Sequence, residues 1–233
     1  MACVSSITST SKNEIQGYFP SLLIRFTGQP DIMLNVGLTG GIASGKSTVV
    51  QLLADRGALI IDFDLLTRYV EEPGRPAWNK IVSIFGKEII NDDGAINRRK
   101  LGEIVFQNPE KLALLNSIVH PLVFQEWKRR LILLQENHGN EITISDIPLL
   151  IETKAQQHFD VIILVYCPPW LQIQRLMIRN GYNAVQAQLR LDSQYPIDLK
   201  VPCADIIIDN GLNLDKTIQQ VDAVWKELKA RNG

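Results

Sequence analysis

Cysteine is scarce in this chain. Its 233 residues hold three, Cys3, Cys167 and Cys203, widely spaced and with no C-x-x-C pair. That excludes a disulfide framework and a zinc site, and it points to a reducing, cytoplasmic setting. Neither sign of charge is in excess, because 24 Lys and Arg stand against 25 Asp and Glu for a formal net charge of -1. No global field therefore recruits nucleic acid or an anionic membrane. No uninterrupted apolar run approaches the ~18 residues that a membrane span needs. Internal repeats are absent. What is present, 45% hydrophobic and 21% charged residues, suits one globular domain with inserts.

Residues 1–33 stand apart. They carry Ser5, Ser6, Thr8, Ser9, Thr10 and Ser11, then a Pro- and Gly-punctuated apolar patch around Phe19-Pro20 and Leu22-Leu23-Ile24. The segment is poor in acid, but Lys12 and Arg25 are its only basic residues, and no basic region precedes a long apolar stretch. The reading is a disordered tail, or an upstream start codon with Met33 as the working start.

Gly40 to Ser47 reads G-x-x-x-x-G-K-S, a phosphate-binding P-loop. Its glycines let the backbone curl so that successive N–H groups point at phosphate oxygens. Gly41, Ile42, Ala43, Ser44, Gly45 and Thr48 would line the phosphates, Lys46 reach the β- and γ-phosphates, and the Ser47 hydroxyl hold Mg²⁺. The apolar run Leu34–Thr39 precedes the loop as a strand, and a helix follows it to Gly57. The positive end of that helix adds to the anion site.

Further short apolar runs, Ala58–Asp62, Ile142–Asp146, Val161–Tyr166 and Asp205–Ile208, lack polar alternation. Such runs suit strands covered on both faces, and the pattern predicts an α/β fold with a five-stranded parallel sheet flanked by helices. A closing helix over Leu214–Ala230 places Trp225 in the core. Two segments interrupt the alternation. Residues 64–140 are helical in pattern and too long for a crossover, so they predict a helical insert. Residues 168–201 carry Arg175, Arg179, Arg190 and Lys200, the composition of a basic lid. A helix would put Arg175 and Arg179 on one face, and Asn180-Gly181 would end it.

On the acceptor side, the second strand ends Asp62-Phe63-Asp64. In an extended chain, Asp62 and Asp64 point the same way, one to accept a hydroxyl proton, the other to hold a metal-bound water; alternatively, one of them caps the next helix. Asp146 ends the third strand, where a P-loop enzyme keeps a Mg²⁺-associated carboxylate or where a turn needs a cap. Pro148 stops that strand, and Leu149-Leu150 would form an apolar wall. His120-Pro121 follows a helix, with His120 a substrate contact. The basic run around Arg98 is either a solvated helix start or an anion contact.

Together and in this order, these motifs resemble the dephospho-coenzyme A kinase family. The resemblance rests on Leu38 to Ser47, Asp62 with Asp64, Asn97-Arg98 with Leu101, Leu115-Asn116 with His120-Pro121, and Pro148 to Glu152. It continues through Arg175, Arg179 and Gly181 to Gln194, Lys200, Ala204-Asp205 and Asp209-Asn210. It implies transfer of a phosphoryl group from ATP, with Mg²⁺, to the ribose 3′-hydroxyl of dephospho-CoA. Residues 34–233 would form the kinase domain. The implied catalytic residues are Lys46, Asp64, Asp62 and Arg179. Arg175, Arg179 and Asn210 would join the P-loop around the nucleotide. Asp64, Arg98, His120, Pro121, Leu149, Leu150 and Glu152 would contact the acceptor, and Ser47 and Asp146 the metal. The chain is expected to act as a monomer or weak homo-oligomer. Two departures stand out: Ala43 where a third glycine is common, tolerable unless φ must be positive there, and Phe63 where alanine is common. Two rivals remain at this stage, another P-loop kinase of small molecules or nucleotides, and a non-catalytic nucleotide-binding regulator.

Overall fold

The computed structural model describes residues 33–139 and 141–232. The expected tail therefore lies outside the described residues except for Met33, which is buried and whose Sδ accepts the Thr143 hydroxyl at 3.0 Å. Five parallel strands, β1 (Asn35–Gly40), β2 (Leu59–Asp62), β3 (Thr143–Asp146), β4 (Val161–Tyr166) and β5 (Ile206–Asp209), form one sheet in the order β2-β3-β1-β4-β5. Four strands begin one residue later than their apolar runs, and β1 and β5 extend one residue further, to Gly40 and Asp209.

The unbroken apolar runs are covered on both faces, as a parallel sheet requires. On one face, α1 (Lys46–Ala54) and α9 (Leu214–Asn232) bury Val49, Leu53, Val221, Val224 and Leu228 against Val36, Leu38, Ile144 and Ile163, with Trp225 at the rim. On the other face, α2 (Phe63–Val70), α3 (Pro76–Phe85), α4 (Arg98–Phe106) and α5 (Pro109–His138) pack around Ile61, Leu66, Ile81, Val123 and Trp127. Burial of each such side chain contributes about 1.5–3 kcal/mol.

Local signals fix the helix ends. Asn108 caps α5 by accepting the N–H groups of Glu110 and Lys111, and Pro109 occupies the first position, where its missing N–H costs nothing. Helix α5 then runs through Pro121, so the helix expected to end before His120-Pro121 does not end there. A proline in a helix interior costs ~3 kcal/mol. Burial of Ile118, Val119, Val123 and Trp127 along the same helix exceeds that. The residues expected as a lid form α6 (Pro169–Asn180), α7 (Ala184–Asp192) and α8 (Ile197–Lys200). Helix α6 stops at Gly181, whose φ of 68° suits glycine.

Candidate active site

The sheet register assembles the site. Asp62 pairs with Asp146 across β2 and β3, and Asp146 pairs with Leu38 on β1, two residues before the P-loop. The carboxyl ends of these strands thus bring both aspartates beside the loop, where open α/β sheets bind ligands. Lys46, the first residue of α1, directs its ammonium onto Asp146 Oδ1. Burial pushes the Asp146 carboxyl above the usual range; the Lys46 charge opposes this, and Asp62 and Asp64 add to it.

The loop itself is tightly held. Gly45 sits at φ 86°, and Ala43 adopts φ 56°, a conformation that costs a residue with a Cβ roughly 1–2 kcal/mol. The position departing from glycine is therefore one that does need positive φ. The Ser44 carbonyl accepts from Asn210 Nδ2 at 2.8 Å and from Arg175 at 3.2 Å. Asn210 Oδ1 in turn accepts from Thr217 at 2.8 Å. The Asn210 side chain is thus engaged in bracing the loop.

Asp62 and Asp64 differ from the extended pair. The chain turns into α2 at Phe63, because Asp62 caps that helix, accepting the Leu65 N–H at 3.0 Å. Asp64 stands in the first turn, where the helix N-terminus favours negative charge. Phe63 is buried, edge-on to Phe124 with centroids 5.6 Å apart, and Phe124 meets Trp127 at 5.7 Å. Trp127 Nε1 donates to Ser145 Oγ on β3 at 3.0 Å. This aromatic stack ties α2 and α5 to the sheet and leaves Asp64 exposed. Asp64 lines a cavity of about 160 Å³ with Thr67, His120, Phe124, Pro148 and Leu149. His120 keeps one side to solvent, yet loss of hydration pushes its imidazole below the usual histidine range.

Beyond the P-loop lies an open cavity of about 450 Å³, lined by Gly45, Thr48, Arg175, Ile178, Arg179, Leu212 and Leu214. Arg175 and Arg179 share one face of α6, as their spacing predicts. Arg175 donates to Asn210 O at 2.8 Å, while Arg179, exposed, reaches the neighbouring Asn180 side chain. Ile178, Leu212 and Leu214 were not legible as site residues; their signal was exposure of large apolar groups, 78%, 58% and 56%, which only the fold reveals. A third hollow, beside Tyr69, Leu122 and Glu126, contains none of the P-loop or strand-end residues.

Four expected acceptor residues do not line the Asp64 cavity. Leu150 is fully buried in the core, leaving Leu149 as the apolar wall. Pro121 is not in the cavity lining. Arg98 opens α4 and pairs with the buried Glu71 at 2.6 Å. Glu152 Oε1 lies 2.6 Å from the ammonium of Lys200, whose side chain is 0% exposed. Two residues that motif reading gave no role, Gln172 and Gln194, bond the backbone of Ile42.

The family model described as dephospho-CoA kinase matches residues 34–216. A dephospho-CoA kinase from Syntrophus aciditrophicus is 47% identical over 201 residues, 86% of each chain. One from Carboxydothermus hydrogenoformans is 44% identical over 83% of this chain and 94% of its own. Among solved structures, a dephospho-CoA kinase from Campylobacter jejuni superposes with a TM-score of 0.64 at 30% identity, covering 85% of this chain and 98% of its own.

Proposed function

The chain belongs to the dephospho-CoA kinase family, and on that premise we propose how its residues carry the reaction. The protein is an ATP-dependent kinase that phosphorylates the ribose 3′-hydroxyl of dephospho-CoA, the final step of coenzyme A synthesis. One observation carries the assignment of roles. Lys46 follows Gly45 of the lid-side cavity, Asp146 precedes Ile147 of the Asp64 cavity, and the Lys46–Asp146 contact joins the two.

ATP lies in the larger cavity, its adenine against Ile178, Leu212 and Leu214 and its phosphates on the loop from Gly41 to Thr48. The triphosphate gives Lys46 a second anionic partner beside Asp146. Arg175 and Arg179 supply planar forks that suit phosphate. Dephospho-CoA lies in the smaller cavity against Leu149 and Phe124, its ribose near Asp64 and neutral His120. Asp64 accepts or orients the 3′-hydroxyl proton, and Asp62 assists by holding the helix start that positions it. Transfer depends chiefly on positioning and charge neutralisation.

The donor set fits magnesium. Ser47 offers a hydroxyl and Asp146 a carboxylate, both hard oxygen ligands. Among the described residues no group of three metal-ligating side chains occurs. That suits an ion held by one or two protein oxygens plus phosphates and water. Ser47 and Asp146 would hold it, and when bound it neutralises phosphate charge.

Among the described residues, no helix is long and apolar enough to cross a membrane. The balanced charge and few cysteines support a cytoplasmic protein without a nucleic-acid partner. A coupled ADP-release assay tests the function. Release that depends on dephospho-CoA is expected; release indifferent to it, or driven equally by a nucleoside monophosphate, contradicts the reading.

A further inference from the structure

The P-loop bends through Ile42 and Ala43, and three side chains from the lid residues grip that bend. Gln172, on α6 and fully buried, donates from Nε2 to the Ile42 carbonyl at 2.7 Å. Gln194, between α7 and α8, accepts the Ile42 N–H on its Oε1 at 2.8 Å. Arg175 reaches the carbonyl of Ser44 at 3.2 Å. One peptide unit's neighbours are thus bound on both polar sides of Ile42 by two glutamines 22 positions apart in the chain.

The fit around this grip is close. A Cβ on Gly41 would fall 2.3 Å from Gln172 Nε2 and 3.0 Å from Ile197 Cδ1. Glycine at 41 is therefore set by the lid amide as well as by phosphate approach. Two residues on, Ala43 holds a left-handed φ of 56° that its Cβ disfavours. Strain of that kind persists only where surrounding contacts over-determine the backbone. Here the contacts on Ile42 come from the lid, and Asn210 adds one on Ser44 from outside it.

We propose that Gln172 and Gln194 are positioning residues for phosphoryl transfer: they hold the strained Ile42–Ala43 bend in its phosphate-receiving shape, so that the lid sets the shape of the P-loop. The proposal rests on the assignment of ATP to this loop. With alanine at 43, losing a glutamine lets the bend relax toward conformations an L-residue prefers. With glycine at 43, the left-handed bend carries no Cβ penalty and keeps its shape without the grip.

The test is steady-state kinetics on the full chain with Gln194→Met, which keeps length but cannot accept the N–H, alone and combined with Ala43→Gly. Gln194→Met is expected to raise KM for ATP roughly three- to tenfold, the effect of one hydrogen bond, while KM for dephospho-CoA changes less than about twofold. In the Ala43→Gly background the same substitution should raise KM for ATP by less than about twofold. Gln172→Met should act like Gln194→Met; because Gln172 is buried, its thermal unfolding is measured alongside, and if it does not fold, the two Gln194 variants decide. A KM for ATP unmoved by Gln194→Met, or moved equally with alanine and with glycine at 43, overturns the proposal. Lys46→Ala runs in parallel: if it too leaves turnover intact, the assignment of ATP to this loop fails, whereas a dead Lys46→Ala with a silent Gln194→Met refutes the grip alone.

Discussion

The buried pair Glu152–Lys200 offers a stability experiment whose size can be worked from the structure. The Lys200 side chain is 0% exposed and that of Glu152 is 20% exposed, and among the described residues neither charged group has a hydrogen-bonding partner besides the other. Each therefore depends on the other, 2.6 Å away. Removing one partner of a buried pair typically costs about 3–5 kcal/mol, whereas replacing both by apolar groups is near neutral. Glu152→Leu strands an ammonium with no access to water, so it should fall near the upper figure. Lys200→Met strands a carboxylate whose two oxygens are buried as well, so it should cost ~3 kcal/mol or more. At about 2–4 °C per kcal/mol for a domain of this size, a loss of ~3 kcal/mol or more lowers the Tm of Lys200→Met by at least roughly 6–12 °C. The double variant should lie within ~1.5 kcal/mol of wild type. Urea unfolding of the four proteins completes the cycle. Additive single effects, or single effects both under ~1 kcal/mol, would refute the reasoning. KM for dephospho-CoA distinguishes a substrate contact: it should respond alike in both single variants, while a rise confined to Glu152→Leu would return Glu152 to the acceptor site.

Three further outcomes are expected. Lys46→Ala should lose well over tenfold in turnover without unfolding; retention of more than about a tenth of wild-type turnover, a loss under ~1.4 kcal/mol, would remove the loop from catalysis. Arg179→Ala should raise KM for ATP, lower turnover or both, and Arg179→Lys should rescue only in part because the planar fork is lost, as initial rates across ATP concentration will show. His120 is pushed below its ordinary 6.5 by burial, so the unfolded chain takes its proton first as pH falls through that value, and folding stability falls with it. Burial-raised Asp146 and Glu71 act in the opposite sense in acid, so the measurement is a difference: the stability of wild type relative to His120→Asn should decline from pH 7.5 to 5.5, and a constant difference contradicts the shift.

Local pattern carried much of the fold. Five apolar runs became five strands within a residue of their expected ends, because a strand buried on both faces has no polar alternation to blur it. Asn108-Pro109 and Asn180-Gly181 marked their helix ends because capping chemistry is local. Asp62 was harder, since the same carboxylate suits a cap or an extended strand end, and the cap prevailed once Phe63 packed against Phe124 and Trp127. Leu150 reads like Leu149 in sequence; only the approach of β1 at Gly37, where an added Cβ would fall 2.7 Å from Leu150 Cδ1, distinguishes a core residue from a wall. The Glu152–Lys200 pair and the Gln172 and Gln194 bonds to Ile42 join residues 48 to 152 positions apart, and no periodicity encodes such contacts.

Asp64→Asn tests the assigned chemistry most directly. The variant keeps the side chain's size, sits exposed in the first turn of α2, and leaves the Asp62 cap in place, so the fold should be unchanged. An amide cannot take the 3′-hydroxyl proton, and general-base help is typically worth roughly 10²–10⁴-fold. Single-turnover transfer of labelled γ-phosphate to dephospho-CoA should therefore slow by about that factor, while calorimetric ATP affinity stays near wild type. Transfer at the wild-type rate, with ATP affinity likewise unchanged, would contradict the placement of the acceptor hydroxyl at Asp64.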